Sequence, residues 1–208
     1  NVIKGSHELD KYNINYLHKE SDLFFDWYLP LFLKKKKIMI VKQKTKKILS
    51  YLYKRINFPN SCFVHRDFHL QNLMKVRNKI GVIDSQDALI GNPTYDLMSL
   101  VDDVRIKTPN VLKKKIINYY LNKSPKNYKI KSKEFLEDFS ILSVQRCLKI
   151  IGIFSRLYKR DQKKEYLKLI PYTWRILDKR LSSKIFKEFK KTINSYVSNK
   201  IKKKIIKK

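Results

Sequence analysis

The chain has 208 residues, 43% of them hydrophobic and 12% aromatic, which excludes a disordered tail and permits one domain with a buried core. Its formal net charge is +30, yet the lysines are spread along nearly the whole chain and the arginines are not clustered, which argues against a nucleic-acid surface. No apolar run reaches the roughly 18 residues that a membrane span requires. We therefore expect neither a nucleic-acid nor a membrane partner.

The cysteines and the local charge refine this picture. Cys62 and Cys147 match neither a disulfide framework nor a zinc-ligand spacing, and no signal-peptide pattern is present, so we expect a reducing, cytoplasmic location. The segment from Asp84 to Asp103 contains five aspartates and no lysine or arginine. This segment predicts an acidic pocket that holds a cation.

Helical periodicity and short apolar runs predict the first elements in chain order. Two helices are predicted at Tyr16–Phe32, where Pro30 weakens the end, and at Lys42–Ile56. Three short strands are then predicted at Cys62–Val64, Leu73–Val76 and Ile80–Ile83, the last two joined as a tight hairpin.

The rest of the chain is predicted to be helical. Gly91-Asn92-Pro93 predicts a turn, and Thr94 is expected to cap a helix that runs through Leu100. Four further helices are predicted at Val111–Leu121, Lys133–Leu157, Tyr172–Leu181 and Ile185–Val197. The lysine-rich end, Ile201–Lys208, is expected to fray. The predicted fold class is therefore α+β, mainly α-helical with a small β-hairpin.

The densest polar chemistry lies in the loop between the first strand and the hairpin. Asp67 stands in this loop, Asn72 follows five residues later, and the hairpin leads to Asp84. Phosphoryl transfer needs a hydroxyl held in line with the γ-phosphate and cations on the phosphate oxygens. A carboxylate such as Asp67 can orient the hydroxyl and accept its proton, while Asn72 and Asp84 supply the hard oxygen ligands that Mg²⁺ prefers. The pattern predicts a kinase site that uses ATP and Mg²⁺.

Three neighbouring residues are expected to support this site. A histidine at the start of such a loop is more often a structural hydrogen-bonding group than a proton-transfer group, so we predict that His65 supports the loop. Asp96 is predicted to brace the same loop from the following helix. For His69 two interpretations stay open, a loop-packing group and a substrate contact.

The loop resembles that of aminoglycoside phosphotransferases and choline kinases, in which His-x-Asp-x4-Asn is followed by Ile-Asp. The triplet at His65 is also similar to the His-Arg-Asp of protein kinases. However, Asp84-Ser85-Gln86 is not Asp-Phe-Gly, and the segment from Gly91 to Leu97 fits the small-molecule branch. The resemblance implies a protein-kinase-like fold of which residues 1–208 form the C-terminal catalytic lobe, with a basic tail at 198–208.

Within this superfamily the chain is most similar to the anomeric N-acetylmuramate/N-acetylglucosamine kinases, which phosphorylate the sugar at C1 in cell-wall recycling. The resemblance covers roughly residues 8–181, with Ser85 where the family commonly has Phe. It implies an amino-sugar acceptor, Asp67 as the catalytic base, and Asn72 and Asp84 as magnesium ligands. It also implies a second metal or the sugar near Asp87, and substrate contacts from Glu20, Asp26 and Arg146.

Several alternatives stay open. No glycine-rich loop or nucleotide-binding lysine is found before the polar loop, so we expect that this chain alone lacks the N-terminal nucleotide-binding lobe, binds ATP poorly and turns over little. The same fold could serve another acceptor, such as choline, an aminoglycoside, homoserine or a nucleoside. A truncated pseudokinase that acts as a binding module is the second alternative, and a basic nucleic-acid-binding protein is the third. The oligomeric state is not predicted.

Overall fold

The chain begins with two helices that pack against each other. The computed structural model describes residues 8–124 and 131–204. Helix α1 spans Ile14–Leu23, and Asn13 caps its start through Oδ1, which accepts two backbone hydrogen bonds. A π-helical turn (Phe24–Tyr28) and a 3-10 turn (Leu29–Leu31) continue it, and α2 spans Lys35–Lys54.

Both predicted N-terminal helices are present, but their bounds differ from the predicted ones. The first begins at Ile14 rather than Tyr16 because the Asn13 cap precedes it. Its regular part ends at Leu23, and the 3-10 turn Leu29–Leu31 contains Pro30, which supplies no backbone N–H for a regular helix. The second helix begins at Lys35 rather than Lys42, because its lysine-rich first turns carry no apolar periodicity.

In the part of the chain that the structure describes, four short strands form two antiparallel pairs. Strand β1 (Cys62–Val64) pairs with β4 (Leu89–Gly91). Strands β2 (Leu73–Val76) and β3 (Lys79–Val82) form the predicted hairpin, with Leu73 opposite Val82. The segment Leu89–Gly91 was not predicted as a strand, because three residues beside a turn carry no alternating pattern.

The remaining elements are helical, as predicted. The helices are α3 (Tyr95–Val101), α4 (Asn110–Lys123), α5 (Ser132–Asp161), α6 (Ile170–Arg180), α7 (Lys187–Tyr196) and α8 (Asn199–Lys203). Two 3-10 segments, Lys164–Leu169 and Lys184–Phe186, precede α6 and α7. Thr94 is the N-cap residue of α3, as predicted, but its side chain makes no cap hydrogen bond within the described residues, and its backbone N–H donates to Asn92 Oδ1 at 2.9 Å.

The lysine-rich end is partly ordered, which corrects the expectation that it frays. Helix α8 docks through Lys202, which is only 4% exposed. Its Nζ lies 2.6 Å from a carboxylate oxygen of Asp178 and 4.9 Å from the centroid of the Trp174 ring. The ammonium group is thus paired, so burial of this lysine is tolerated. Residues 205–208 of the expected frayed end lie outside the described residues.

Helix α5 is the centre of the core and packs against α1, α3 and α6. Its contact with α1 is close at Gly152, where an added Cβ would lie 2.3 Å from the carbonyl carbon of Leu23. Trp174 of α6 is buried in the same core and donates its indole N–H to Tyr28 Oη at 2.9 Å. Within residues 8–124 and 131–204, no helix has the length and apolar character to cross a membrane.

Candidate active site

A cleft of about 330 Å³ lies between the polar loop (residues 65–72), the hairpin and helix α5. Its polar lining comprises Asp67, His69, Gln71, Asn72, Asp84, Gln86, Arg105, Arg146 and Lys149. Its apolar lining comprises Ile150, Ile153 and Phe154 of α5. The structure therefore brings the predicted base and both predicted metal ligands to one cleft, together with His69 and Arg146. The volume is in the range of small-ligand sites.

The backbone of the polar loop is folded tightly around Asp67. The carbonyl oxygen of Asp67 accepts a hydrogen bond from the backbone N–H of His69 at 3.0 Å and from Nδ2 of Asn72, also at 3.0 Å. The second bond orients the Asn72 amide, because its nitrogen is committed to the loop. Its Oδ1 accepts no hydrogen bond from the residues that the structure describes, so this oxygen is available to a ligand in the cleft.

The hairpin holds Asp84 beside Asn72. The backbone N–H of Ile83 donates to the carbonyl oxygen of Asn72 at 3.1 Å, just beyond the last pair of the β2–β3 ladder. Asp84 itself has a φ of 64°, in the left-handed region that non-glycine residues rarely adopt. Such a conformation costs on the order of 1 kcal/mol and is concentrated at functional sites. The two oxygen-bearing side chains are thus held by backbone hydrogen bonds at the open end of a stiff hairpin.

His65 and Asp96 connect the polar loop to its surroundings. Asp96 accepts the backbone N–H of His65 at 2.7 Å and that of Arg66 at 3.1 Å, and the Arg66 backbone has a φ of 71°. Burial raises the pKa of Asp96, and these two hydrogen bonds partly offset the shift. The ring of His65 contacts the carbonyl oxygen of Ile83 through Nε2 at 2.8 Å. These contacts tie the loop to both the hairpin and α3.

Glu20 lies in a buried ion-pair network rather than in the cleft. Its carboxylate is 2.5 Å from Arg66 Nη2 and 2.9 Å from Lys149 Nζ, and it accepts hydrogen bonds from Tyr12 and Gln145. Burial alone would raise the pKa of Glu20, but the charge of Lys149, the hydrogen bond from Tyr12 and the charge of Arg66 together lower it to about 2. The network joins α1, the polar loop and α5.

Two other residues implied by the resemblance also lie outside the cleft lining. Asp26 is exposed and forms an ion pair with Lys42 at 2.8 Å. Asp87 is exposed, and its backbone carbonyl accepts a hydrogen bond from Arg66 Nη1 at 2.8 Å. The structure therefore gives the side chains of Glu20 and Asp26 intramolecular partners, and it leaves the Asp87 carboxylate at the surface.

The acidic segment does not form the single pocket expected from the sequence. Of its five aspartates, Asp84 is the one that lines the cleft. Asp102 is buried on another side of α3, where Lys113 pairs with it at 2.8 Å and Arg180 at 2.7 Å. Burial would raise the pKa of Asp102, but the charges of Arg180 and Lys113 lower it. The expectation of one acidic pocket is wrong because the segment runs through β4 and α3, and these two elements separate its carboxylates.

A second group of residues in the cleft lining is basic. Arg146 and Lys149 come from α5, and Arg105 comes from the connection between α3 and α4. Burial and the charge of Arg105 lower the pKa of His69, so its imidazole is neutral near pH 7. Arg105, Gln71 and Gln86 were not predicted as site residues. Arg105 in particular belongs to no spacing pattern and is more than 30 positions from the polar loop in sequence.

The arrangement fits a magnesium ion better than a transition metal. Among the described residues, no group of three or more His, Cys, Asp or Glu side chains is placed to hold a metal. Magnesium is usually held by one or two protein oxygens together with water and substrate phosphates. Asn72 Oδ1 and the Asp84 carboxylate match this requirement. The cleft can thus combine a metal-phosphate group on one wall with a hydroxyl beside Asp67.

Comparison with known proteins agrees with this chemistry. The sequence model of the Phosphotransferase enzyme family (APH) matches residues 19–129. The N-acetylmuramate/N-acetylglucosamine kinase of Pseudomonas aeruginosa is 34% identical over 177 residues, which cover 82% of this chain and 51% of that protein. The kinase of the same name from Neisseria meningitidis serogroup B is 33% identical over 177 residues, covering 81% and 52%.

A third relative extends the same result. The N-acetylmuramate/N-acetylglucosamine kinase of Caulobacter vibrioides is 31% identical over 140 residues, covering 65% of this chain and 38% of that protein. The chain spans about half the length of the curated relatives it matches. The family match includes the polar loop, the hairpin and α3. The chain therefore belongs to the APH phosphotransferase enzyme family.

Proposed function

We propose that the full-length protein transfers the γ-phosphoryl group of ATP to the C1 hydroxyl of an amino sugar, either N-acetylmuramate or N-acetylglucosamine. The observation that carries this proposal is that Asp67, Asn72 and Asp84 line one cleft. Family membership supports a phosphotransferase, and the names of three relatives support the acceptor. We also propose that this activity serves cell-wall recycling.

In the proposed reaction Asp67 orients the acceptor and receives its proton. The carboxylate accepts a hydrogen bond from the C1 hydroxyl and takes the proton as the new oxygen–phosphorus bond forms. Asp67 suits this role because its side chain is exposed in the cleft while its backbone carbonyl is held by two hydrogen bonds. The hydroxyl is thereby placed by a rigid loop, which reduces the entropy cost of the in-line geometry.

Asn72 and Asp84 are the proposed ligands of Mg²⁺, which when bound supplies positive charge to the phosphate oxygens. The Asn72 amide contributes Oδ1 because its Nδ2 is bound to the Asp67 carbonyl at 3.0 Å. Asp84 contributes a carboxylate from the open end of the hairpin. We also propose a cytoplasmic location, since Cys62 and Cys147 are both free thiols.

The test uses the full-length protein with ATP and Mg²⁺ and four separate acceptors, namely N-acetylmuramate, N-acetylglucosamine, choline and an aminoglycoside. Acceptor-dependent release of ADP gives the rate, and ³¹P NMR identifies the phosphorylated atom. A sugar 1-phosphate is the expected product. Phosphorylation of choline or the aminoglycoside alone would assign a different acceptor. A folded protein that transfers phosphate to none of the four would contradict the enzymatic proposal and favour a binding module.

A further inference from the structure

Three cationic side chains line the cleft, and two of them form no ion pair with a carboxylate of the described residues. Lys149 pairs with Glu20 at 2.9 Å. Arg146 is 4% exposed, yet among residues 8–124 and 131–204 no carboxylate forms an ion pair with it. The guanidinium group of Arg105 likewise has no ion-pair partner in these residues, and only its backbone N–H is bonded, to Asp103 Oδ1 at 2.9 Å. Arg146 is buried and Arg105 is partly buried, so an anion bound in the cleft would stabilise both charges.

The two arginines act at one place in the cleft. Both of their charges lower the pKa of His69, after the larger effect of burial, so both guanidinium groups lie near the same imidazole. That imidazole is 6% exposed, and its Nδ1 is buried without a hydrogen-bond partner in the described structure. His69 also lies close enough to Asp67 for the aspartate charge to affect it. An anion bound by the arginines would thus be adjacent to the acceptor hydroxyl.

The position of these two arginines favours binding of the acceptor over binding of the nucleotide. The proposed metal ligands come from the polar loop and the hairpin, whereas Arg146 comes from α5 and Arg105 from the α3–α4 connection. The phosphates of the nucleotide would be bound through the metal, beside the polar loop and the hairpin. The two arginines come from other elements, so they are free to bind a charged group on the acceptor.

We propose that Arg105 and Arg146 form an anion subsite that binds a carboxylate of the acceptor and makes the site selective for an acidic amino sugar. This inference rests on the proposed function. N-acetylmuramate differs from N-acetylglucosamine only by a lactyl ether at O3, which carries the required carboxylate. The planar fork of an arginine binds a carboxylate through two parallel hydrogen bonds, which a lysine cannot reproduce.

The test measures kcat/KM of the full-length protein for both sugars and KM for ATP, in the wild type and in Arg105→Gln. Loss of a charge-assisted contact should lower kcat/KM for N-acetylmuramate about 10- to 100-fold. The value for N-acetylglucosamine should fall much less, so the ratio of the two values should drop at least about tenfold. Arg175→Gln is the matched control, because Arg175 is exposed and does not line the cleft.

Two further arms keep the result interpretable. Arg146→Lys retains the charge but loses the fork, and its unfolding midpoint shows whether the buried position still folds. The neutral lactyl amide of N-acetylmuramate lacks the carboxylate. The wild-type protein should therefore not prefer this amide to N-acetylglucosamine, and kcat/KM of Arg105→Gln should be similar for the amide and for N-acetylmuramate.

Three results of these measurements would have different meanings. Equal losses with both sugars would overturn the carboxylate subsite. A raised KM for ATP with either acceptor would assign the arginines to the phosphates and would overturn it as well. A wild-type protein that phosphorylates neither sugar would contradict the proposed function itself, which is a different result from a change in the ratio.

Discussion

The Nε2 atom of His65 lies 2.8 Å from the carbonyl oxygen of Ile83, the residue that immediately precedes Asp84. A carbonyl oxygen only accepts hydrogen bonds, so Nε2 carries the hydrogen and donates it. The ring thereby joins the start of the polar loop to the end of the hairpin. This contact gives His65 a positioning role for a proposed metal ligand without direct contact with the reacting atoms.

Removal of this hydrogen bond should weaken the use of Mg²⁺. His65→Phe keeps a ring but loses the donor, so Asp84 should be held less firmly. The Mg²⁺ concentration for half-maximal activity should rise about tenfold, as for other residues that orient a metal ligand. His65→Asn, which retains an N–H donor, should recover part of the effect. A Mg²⁺ dependence that does not change in His65→Phe would reduce the residue to a packing role.

Glu20→Gln should destabilise the protein in a pH-dependent manner. The pKa of Glu20 is about 2 in the folded chain and 4.5 ordinarily, so the unfolded state takes up a proton first as the pH falls. Its contribution is therefore fully present above pH 4.5 and is lost as the pH falls towards about 2. Urea unfolding should show a loss of about 3 kcal/mol in Glu20→Gln at pH 7, which shrinks at acidic pH.

The control for this prediction is Glu137→Gln. Glu137 pairs with Arg55 at 2.7 Å, but this pair is much more exposed. Its loss should cost less than about 1 kcal/mol. Equal effects of the two substitutions, or a Glu20→Gln effect that persists unchanged at pH 2, would contradict the account of the buried network.

Gly152→Ala should disrupt the contact between α1 and α5. The added methyl group would lie 2.3 Å from the Leu23 carbonyl carbon and 2.6 Å from its Cβ, and neither backbone can move without shifting a helix. We expect a loss of about 3 kcal/mol in the free energy of unfolding. Gly81→Ala is the control, because its nearest neighbour would be 3.7 Å away. A fully stable Gly152→Ala protein would show that the two helices do not approach this closely.

The polar loop was predictable because its functional groups are close together in sequence. Asp67, Asn72 and Asp84 lie within 18 positions between apolar strands, and the structure brings them to one cleft. By contrast, Glu20, Arg66 and Lys149 come from three distant segments. Their pairing depends on tertiary packing, which no local pattern reports.

The same reason explains other differences between prediction and structure. Arg105 enters the cleft from a connection without periodicity, so no local pattern indicated a role. The docking of α8 depends on Asp178 and Trp174, which lie more than 20 positions before Lys202 in sequence. The acidic segment does not form one pocket, because composition gives the number of carboxylates and not the elements that separate them, here β4 and α3.

Asp67 is proposed to activate the acceptor hydroxyl in the phosphotransferase cleft. The most direct test compares sugar 1-phosphate formation by the full-length protein in the wild type, in Asp67→Asn and in Asp161→Asn, an aspartate at the end of α5 outside the cleft lining. Asp67→Asn should lower kcat about 10²- to 10⁴-fold, with unfolding free energy changed by less than about 0.5 kcal/mol, while Asp161→Asn should retain activity. Asp67→Asn with a rate within about threefold of the wild type would contradict this role, since the loss of a general base is expected to cost far more.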